Sequence, residues 1–238
     1  MENKMYSFKS RVRYSEIGYD KRITLPSIID YFQDCSTFQT ESLGIGMDYF
    51  DRIKRAWVLS SWQIIINEYP LFNEEIIIST WPYEFKGLYG YRNFLMQDSQ
   101  NKTLAYANSV WVYIDTETGL PTRIDKNLSK VFTLEEKLDM DYAPRKISIP
   151  NHMKSFDPFP VVRANIDTNK HVNNGQYVLM GEEFLPDNFK VRQMRADYRK
   201  AAKLGDFIVP KVSYTDKTCH VALSSPDDTP YATLEFKQ

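Results

Sequence analysis

A chain of 238 residues with 42% hydrophobic and 26% charged residues can bury a real core, as one large domain or two small ones. Thirty lysines and arginines stand against 31 aspartates and glutamates, a formal net charge of −1 that argues against a general nucleic-acid binder. No run approaches the roughly 20 apolar residues of a membrane span, and the two cysteines, Cys35 and Cys219, fit no metal spacing and are expected as reduced thiols.

Residues 1–10 hold no apolar core of signal-peptide length, so a cytoplasmic protein is expected. Ser7 to Gly18 alternates loosely and predicts a first strand. From Arg22 to Gly44 the period changes. Leu25, Ile28, Ile29, Phe32, Cys35, Phe38 and Leu43 recur near helical spacing, with Thr24 as N-cap, Pro26 in the first turn and Gly44 as the stop. Strand patterns follow at Ala56 to Ile66, Glu75 to Trp81, Leu88 to Gln97 and Thr103 to Ile114, separated by turn residues. One long helix and about four antiparallel strands predict a sheet curled around a helix, the hotdog fold.

Thr118 to Pro160 differs: five prolines oppose any long regular element, so a connector with one short helix is expected. Then the order begins again. Val161 to Ile166 looks strand-like, His171 to Leu185 helical, and Lys190 to Tyr198, Phe207 to Tyr214, Cys219 to Ser224 and Thr229 to Phe236 are strand candidates. Glu68-Tyr69 in the first half is paired with Asp197-Tyr198 in the second, marking an internal repeat. The expected fold class is α+β, a tandem double hotdog, each half a long helix wrapped by an antiparallel sheet. The expected division is an N-terminal hotdog over 1–125, a connector over 126–160 and a C-terminal hotdog over 161–238.

The stretch Arg163 to Tyr177 concentrates the chemistry. It sets Asp167, Asn169 and His171 at alternate positions before an apolar run. In an extended or turning segment such residues project together, and the start of a helix favours negative charge. The plainest alternative is a turn with an asparagine cap. An imidazole carries protons near neutral pH, and a carboxylate can activate water or attack a carbonyl itself. A carboxamide can hold a substrate carbonyl or fix the imidazole tautomer. The backbone N–H groups of Val172 and Asn173 are candidate oxyanion donors.

Asp167-x-Asn169-x-His171-Val-Asn-Asn-x-x-Tyr177 resembles the active-site signature of the acyl-acyl-carrier-protein thioesterases, the plant oleoyl and palmitoyl enzymes and their bacterial relatives. Trp57-Val-Leu, Tyr69-Pro, Thr80-Trp-Pro, and Trp111 followed by Asp115 and Pro121, fit the same family in order. The resemblance implies a double hotdog whose first half binds the acyl chain and whose second half is catalytic, with Asp167, Asn169 and His171 as catalytic residues. It implies no cofactor, and no metal is expected. The sequence departs from the family where a catalytic Glu, and in plant enzymes a Cys, often follow the Asp-Tyr-Arg-Lys segment: Ala201 and Ala202 stand there. Glu182 or Glu183 could take that carboxylate's place.

Ile28, Ile29, Phe32 and Trp57 are expected to wall an acyl-chain pocket, with simple core as the alternative for each. Arg192, Arg195, Arg199 and Lys200 are expected to dock an acidic partner, with a solvated strand face as the alternative. The expected function is hydrolysis of acyl-carrier-protein thioesters to free fatty acid, the partner being a carrier protein bearing a fatty acyl phosphopantetheine thioester, with a homodimer also admitted. The alternatives are an acyl-CoA thioesterase and a non-catalytic acyl or carrier-protein binder. His152, His220, Cys35, Met180 and Met194 are expected to be structural.

Overall fold

The computed structural model describes residues 5–238. They form two compact units: residues up to Ser60 with Ile66–Tyr142, and Ser61–Ile65 with Ala143–Gln238. The expected N-terminal domain also takes in residues 1–4, which lie outside the described residues.

The first unit contains β1 (Tyr6–Arg11), α1 (Leu25–Ser42), α2 (Met47–Ile53), most of β2 (Arg55–Ile66), β3 (Glu75–Lys86), β4 (Tyr89–Asp98), β5 (Thr103–Asp115) and the short α3 (Lys126–Val131). Its strands lie in the order β1-β3-β4-β5-β2. α1 starts where Thr24 caps it, the hydroxyl accepting from Ser27 N at 3.3 Å. It ends at Leu43, followed by Gly44 at φ +71°, a left-handed position that suits glycine. The stripe read from the sequence does face inward: Ile28, Ile29, Phe32 and Cys35 are completely buried, and Phe32 meets Phe94 of β4 at 5.2 Å. The same stripe comes out to solvent at Phe38 and Leu43. Burying a side chain of this size stabilises by about 1.5–3 kcal/mol.

Two local readings are corrected here. β1 stops at Arg11, not Gly18, because a 3₁₀ turn at Tyr14–Glu16 takes over. Glu16 drives it: its carboxylate accepts from Arg13 N at 2.8 Å and from the Tyr31 hydroxyl of α1 at 2.9 Å, and is drawn inward. The sequence also gave no sign of α2. That helix is held by Glu41, which accepts from Met47 N at 2.9 Å, and by Tyr49 and Phe50 packing on a cluster of Ile45, Tyr113, Leu128 and Phe132.

The second unit contains β6 (Lys154–Ser155), β7 (Phe159–Pro160), α4 (Asn174–Glu182), β8 (Gln193–Tyr198), β9 (Phe207–Tyr214), β10 (Thr218–Ser224) and β11 (Pro230–Lys237). The order is β8-β11-β10-β9-β6, with β7 also on β9. Ser61–Ile65 of β2 pairs antiparallel with β8, from Ser61↔Asp197 to Ile65↔Gln193. The segment before α4 is not the expected strand: Arg163–Asn165 is a 3₁₀ turn. α4 is shorter than the pattern from His171 to Leu185, because Asn173 caps it by accepting from Gly175 N at 2.8 Å.

The connector divides between the units. Leu138 N and the Tyr142 hydroxyl both donate to Asn93 Oδ1 at 3.0 Å in the first unit. Ala143 N donates to Gln63 Oε1 at 2.9 Å in the second.

The internal repeat is written in main-chain bonds. In the first copy, Gly18 N donates to Arg22 O (2.9 Å), Lys21 N to Gly18 O (3.0 Å), Ile23 N to Pro70 O (2.9 Å) and Thr24 N to Glu16 O (2.9 Å). In the second, Asp167 N donates to His171 O (2.8 Å), Lys170 N to Asp167 O (3.1 Å), Val172 N to Ala202 O (2.9 Å) and Asn173 N to Asn165 O (2.9 Å). Lys21 and Lys170 share the same left-handed φ of +62°. This register equates Tyr69-Pro70 with Ala201-Ala202, and so corrects the pairing of Glu68-Tyr69 with Asp197-Tyr198. The match in residue type was coincidental; the match in bonding is the repeat.

Candidate active site

The turn from Asp167 to His171 is closed at its base by the Asp167 N–His171 O bond and by the Ile166↔Val172 bridge. Asp167 also shapes it through its side chain, Oδ1 accepting from Asn169 N at 2.8 Å and His171 N at 3.3 Å. Such side-chain capping of a turn is ordinary aspartate behaviour, so the plain turn-and-cap reading is also true of these residues. It leaves Asp167 Oδ2 with no hydrogen bond among the described residues. Asn169 is exposed, and Asp167 and His171 are half-buried. The structure therefore brings the three expected catalytic residues into one short turn, without a side-chain hydrogen bond between any two of them among the described residues.

The turn is carried on a rigid base. Two tyrosines to which the sequence assigned no role do this. The Tyr177 hydroxyl accepts from Ala202 N at 2.8 Å, and the Tyr198 hydroxyl donates to Asn174 O at 3.0 Å, joining α4 to the strand that follows. Their rings lie 5.9 Å apart. Burial is the main cause of raising the Tyr177 phenol to about 12, so it stays protonated. Asn165 adds a third tie, its Nδ2 donating to Gln176 Oε1 at 3.0 Å. The placing of Tyr177 inside the Asp-Asn-His stretch was the available signal.

Other expected residues fall elsewhere. The amides of Val172 and Asn173, read as oxyanion donors, are already spent on Ala202 O and Asn165 O. The bonds that close the turn use them, which removes them from that role. Ala201 is exposed and Ala202 buried, so neither offers chemistry. Glu182 does not replace the missing Glu: it lies at the far end of α4, about 12 Å along the axis from Asn174 at 1.5 Å per residue. Its carboxyl is pushed up to about 7, chiefly by burial and then by Glu183.

Ile28, Ile29 and Phe32 are completely buried and pack as core. Trp57 packs against the separate cluster around Tyr113, 4.9 Å between rings. A cleft of about 620 Å³ in the first unit is lined by Tyr83, Tyr91, Tyr142, Glu84, Glu135 and Lys137 among others, and includes none of these four.

Of the expected docking cations, Arg192 and Lys200 are exposed, and Arg199 pairs with Asp197 at 2.7 Å. Arg195 is not available for docking. It is held between Glu235 (3.1 Å) and the carbonyls of Pro144 (2.5 Å) and Lys146 (3.2 Å). Burial alone would raise the Glu235 carboxyl, but hydrogen bonds from His220 and Lys237 and the Arg195 charge hold it at about 2. His220 is thus part of a structural cluster, and Cys35, Cys219 and Met194 are fully buried.

The architecture defines a class, the double hotdog, with a polar turn at the capped start of α4. Two family profiles match in sequence: the acyl-ACP thioesterase N-terminal domain over residues 3–132 and the acyl-ACP thioesterase C-terminal domain over 149–230. The chain belongs to the acyl-acyl-carrier-protein thioesterase family.

A chloroplastic acyl-[acyl-carrier-protein] hydrolase of Cuphea viscosissima is 24% identical over 223 residues, covering 86% of this chain and 53% of the relative. The chloroplastic oleoyl-acyl carrier protein thioesterase 2 of Arabidopsis thaliana is 23% identical over 228 residues, covering 85% and 62%. The chain thus spans a little over half the length of these relatives. Among solved structures, an acyl-ACP thioesterase from Bacteroides thetaiotaomicron superposes with a TM-score of 0.90 at 21% identity, covering 99% of this chain and 98% of that one. A 12:0-ACP thioesterase from Umbellularia californica superposes at 0.86 and 16% identity, covering 100% and 98%.

Proposed function

We propose that this protein hydrolyses the thioester of an acyl-[acyl-carrier protein], releasing free fatty acid and the carrier thiol. The observation that carries the reading is the closed turn that gathers Asp167, Asn169 and His171 at the cap of α4, in a chain of this family. Water oxygen adds to the acyl carbonyl carbon, the C–S bond breaks, and the sulfur leaves as a thiol with a proton delivered by His171. Asp167 either takes the water proton and passes it back to His171, or adds to the carbonyl itself, expelling the thiol and leaving an acyl–aspartate anhydride that water then cleaves. With the Val172 and Asn173 amides engaged, the Asn169 carboxamide is the donor offered to the developing oxyanion.

The first unit supplies the acyl-binding surface and the second the chemistry. The exposed cations Arg192, Arg199 and Lys200 suit an acidic carrier, and higher salt then weakens turnover. Two buried unpaired thiols suit a reducing, cytoplasmic compartment. Among the described residues no helix is long and apolar enough to cross a membrane. The test is thiol release from acyl-carrier protein. Asp167→Asn and His171→Ala are expected to lower it by at least about a hundredfold, with Cys35→Ala close to the parent.

The second reading is a protein that binds acyl-carrier protein without cleaving it. It draws on Ala201, exposed where a Glu is usual, and on Asp167 Oδ1 being tied to two amides. Binding of acyl-carrier protein with no thiol released by the unmodified chain would establish it. Faster release from acyl-CoA than from the carrier would change the substrate alone.

A further inference from the structure

β3 and β4 of the first unit carry a feature that the proposed hydrolysis does not use. β3 bulges between Pro82 and Glu84, which pair with Arg92 and Tyr91 of β4, so Tyr83 is an extra residue left out of the register. Bulges re-aim side chains and recur beside functional sites. Here the Tyr83 ring lies 5.9 Å from Tyr91 and 5.8 Å from Tyr142, the latter edge to face. These three rings line the cleft of about 620 Å³, a volume in the range of small-molecule sites.

The connector brings carboxylates to the same cleft and is pinned there by its main chain. Glu135 N donates to Pro82 O at 3.1 Å, Glu136 O accepts from Trp81 Nε1 at 2.9 Å, and Leu138 N donates to Asn93 Oδ1 at 3.0 Å. Glu135 and Glu136 therefore line the cleft together with Glu84 of β3. The Oε1 atom of Glu135 is buried and has no hydrogen bond among the described residues. A buried carboxylate oxygen is costly unless a donor or a cation reaches it.

The plainest alternative is that the tyrosines only pack the connector onto the sheet. Their hydroxyls fit that reading: Tyr83 donates to Asn108 Oδ1 at 2.9 Å and Tyr142 to Asn93 Oδ1 at 3.0 Å. Packing does not account for Glu135 Oε1. An anion is the other alternative, since Lys86 and Lys137 also line the cleft. The three carboxylates outnumber them, and aromatic faces attract ammonium groups, not anions. Lys137 displays that preference within the chain, its Nζ standing 5.1 Å from the centre of the Tyr142 ring. We propose that the cleft binds a small organic ammonium ion, held against the faces of Tyr83 and Tyr91 with its N–H groups donating to Glu135. The site lies wholly within the first unit and does not rest on the proposed hydrolysis.

The test is calorimetric titration of the full chain with three four-carbon probes at equal ionic strength: n-butylammonium, 1-butanol and butyrate. Saturable binding of butylammonium is expected, with 1-butanol and butyrate weaker by at least about tenfold. Tyr83→Leu and Glu135→Gln should each weaken the cation by at least about fivefold, while Tyr83→Phe, which keeps the ring, stays within about twofold. Glu84 is exposed, so Glu84→Gln leaves the fold alone and should weaken binding by about twofold. Melting curves separate a lost site from a lost fold, and if Tyr83→Leu unfolds, the two Glu variants decide. Equal binding of 1-butanol would make the cleft an apolar slot, and preference for butyrate an anion site; either overturns the proposal. So does the lack of saturable butylammonium binding, or binding that Glu135→Gln and Glu84→Gln both leave unchanged.

Discussion

Two carboxylates in the second unit have opposite relations to pH. The Glu235 carboxyl is held at about 2, so it contributes stability above the ordinary carboxylate range that is lost as pH falls towards 2. Removing its charge leaves Arg195 facing no anion; Glu235→Gln is expected to cost about 3 kcal/mol at pH 7, read by urea denaturation. Glu182 is the reverse. Its folded carboxyl is raised to about 7, so its neutral form suits the fold, and stability falls as pH rises from about 4.5 through 7. Glu182→Gln should therefore stabilise by about 2 kcal/mol at pH 8 and by almost nothing at pH 4. Paired melting curves at those two pH values would reveal an equal gain at both if the burial argument is wrong. Asp167, Asn169 and His171 were legible in the sequence because their spacing and setting are local. Two partners of Glu235, Arg195 and His220, were not, since they come from other strands and only the sheet register aligns them.

At the scale of elements, α1 and its cap could be read from apolar period and Thr24, and most strands from alternation. Failures occurred where a polar contact overrode the pattern. Glu16 turns the chain after β1, and Asn173 starts α4 three residues later than its apolar run suggests. α2 escaped notice because it is short, and its packing depends on residues from β5 and α3. Two substitutions test these elements. Asn173→Ala removes the cap at the base of the proposed site and should cost about 1 kcal/mol together with a clear loss of thiol release. Gly181→Ala places a Cβ 2.3 Å from Leu234 Cδ1, inside a fully buried part of β11, and should destabilise by about 1–3 kcal/mol. An unchanged denaturation midpoint for Gly181→Ala would mean that α4 can shift away from the sheet at little cost.

For the whole molecule, the doubling of the fold was visible in the order of elements, but its register was not. Glu68-Tyr69 and Asp197-Tyr198 look alike, and only main-chain bonding reveals that Pro70 and Ala202 are the true counterparts. The division into units was likewise beyond the sequence, because Ser61–Ile65 lies amid first-half strands yet completes the second unit beside β8. A fragment carrying residues 143–238 alone should thus fail to fold as measured by circular dichroism, since β8 loses a partner. A cooperative melt from that fragment would show that the borrowed strand is dispensable.

The two turns have nearly the same backbone while sharing Lys21 and Lys170 and little else. Their common shape comes from main-chain bonds that no substitution other than proline removes, with one aspartate side chain adding to them in each copy, Asp20 and Asp167. The other side chains on such a frame are exchangeable cargo, so one copy could lose or gain reactivity without any change of form. A duplicated chain of this kind can divide labour between its halves, and new chemistry could be installed at the first turn by changing cargo alone.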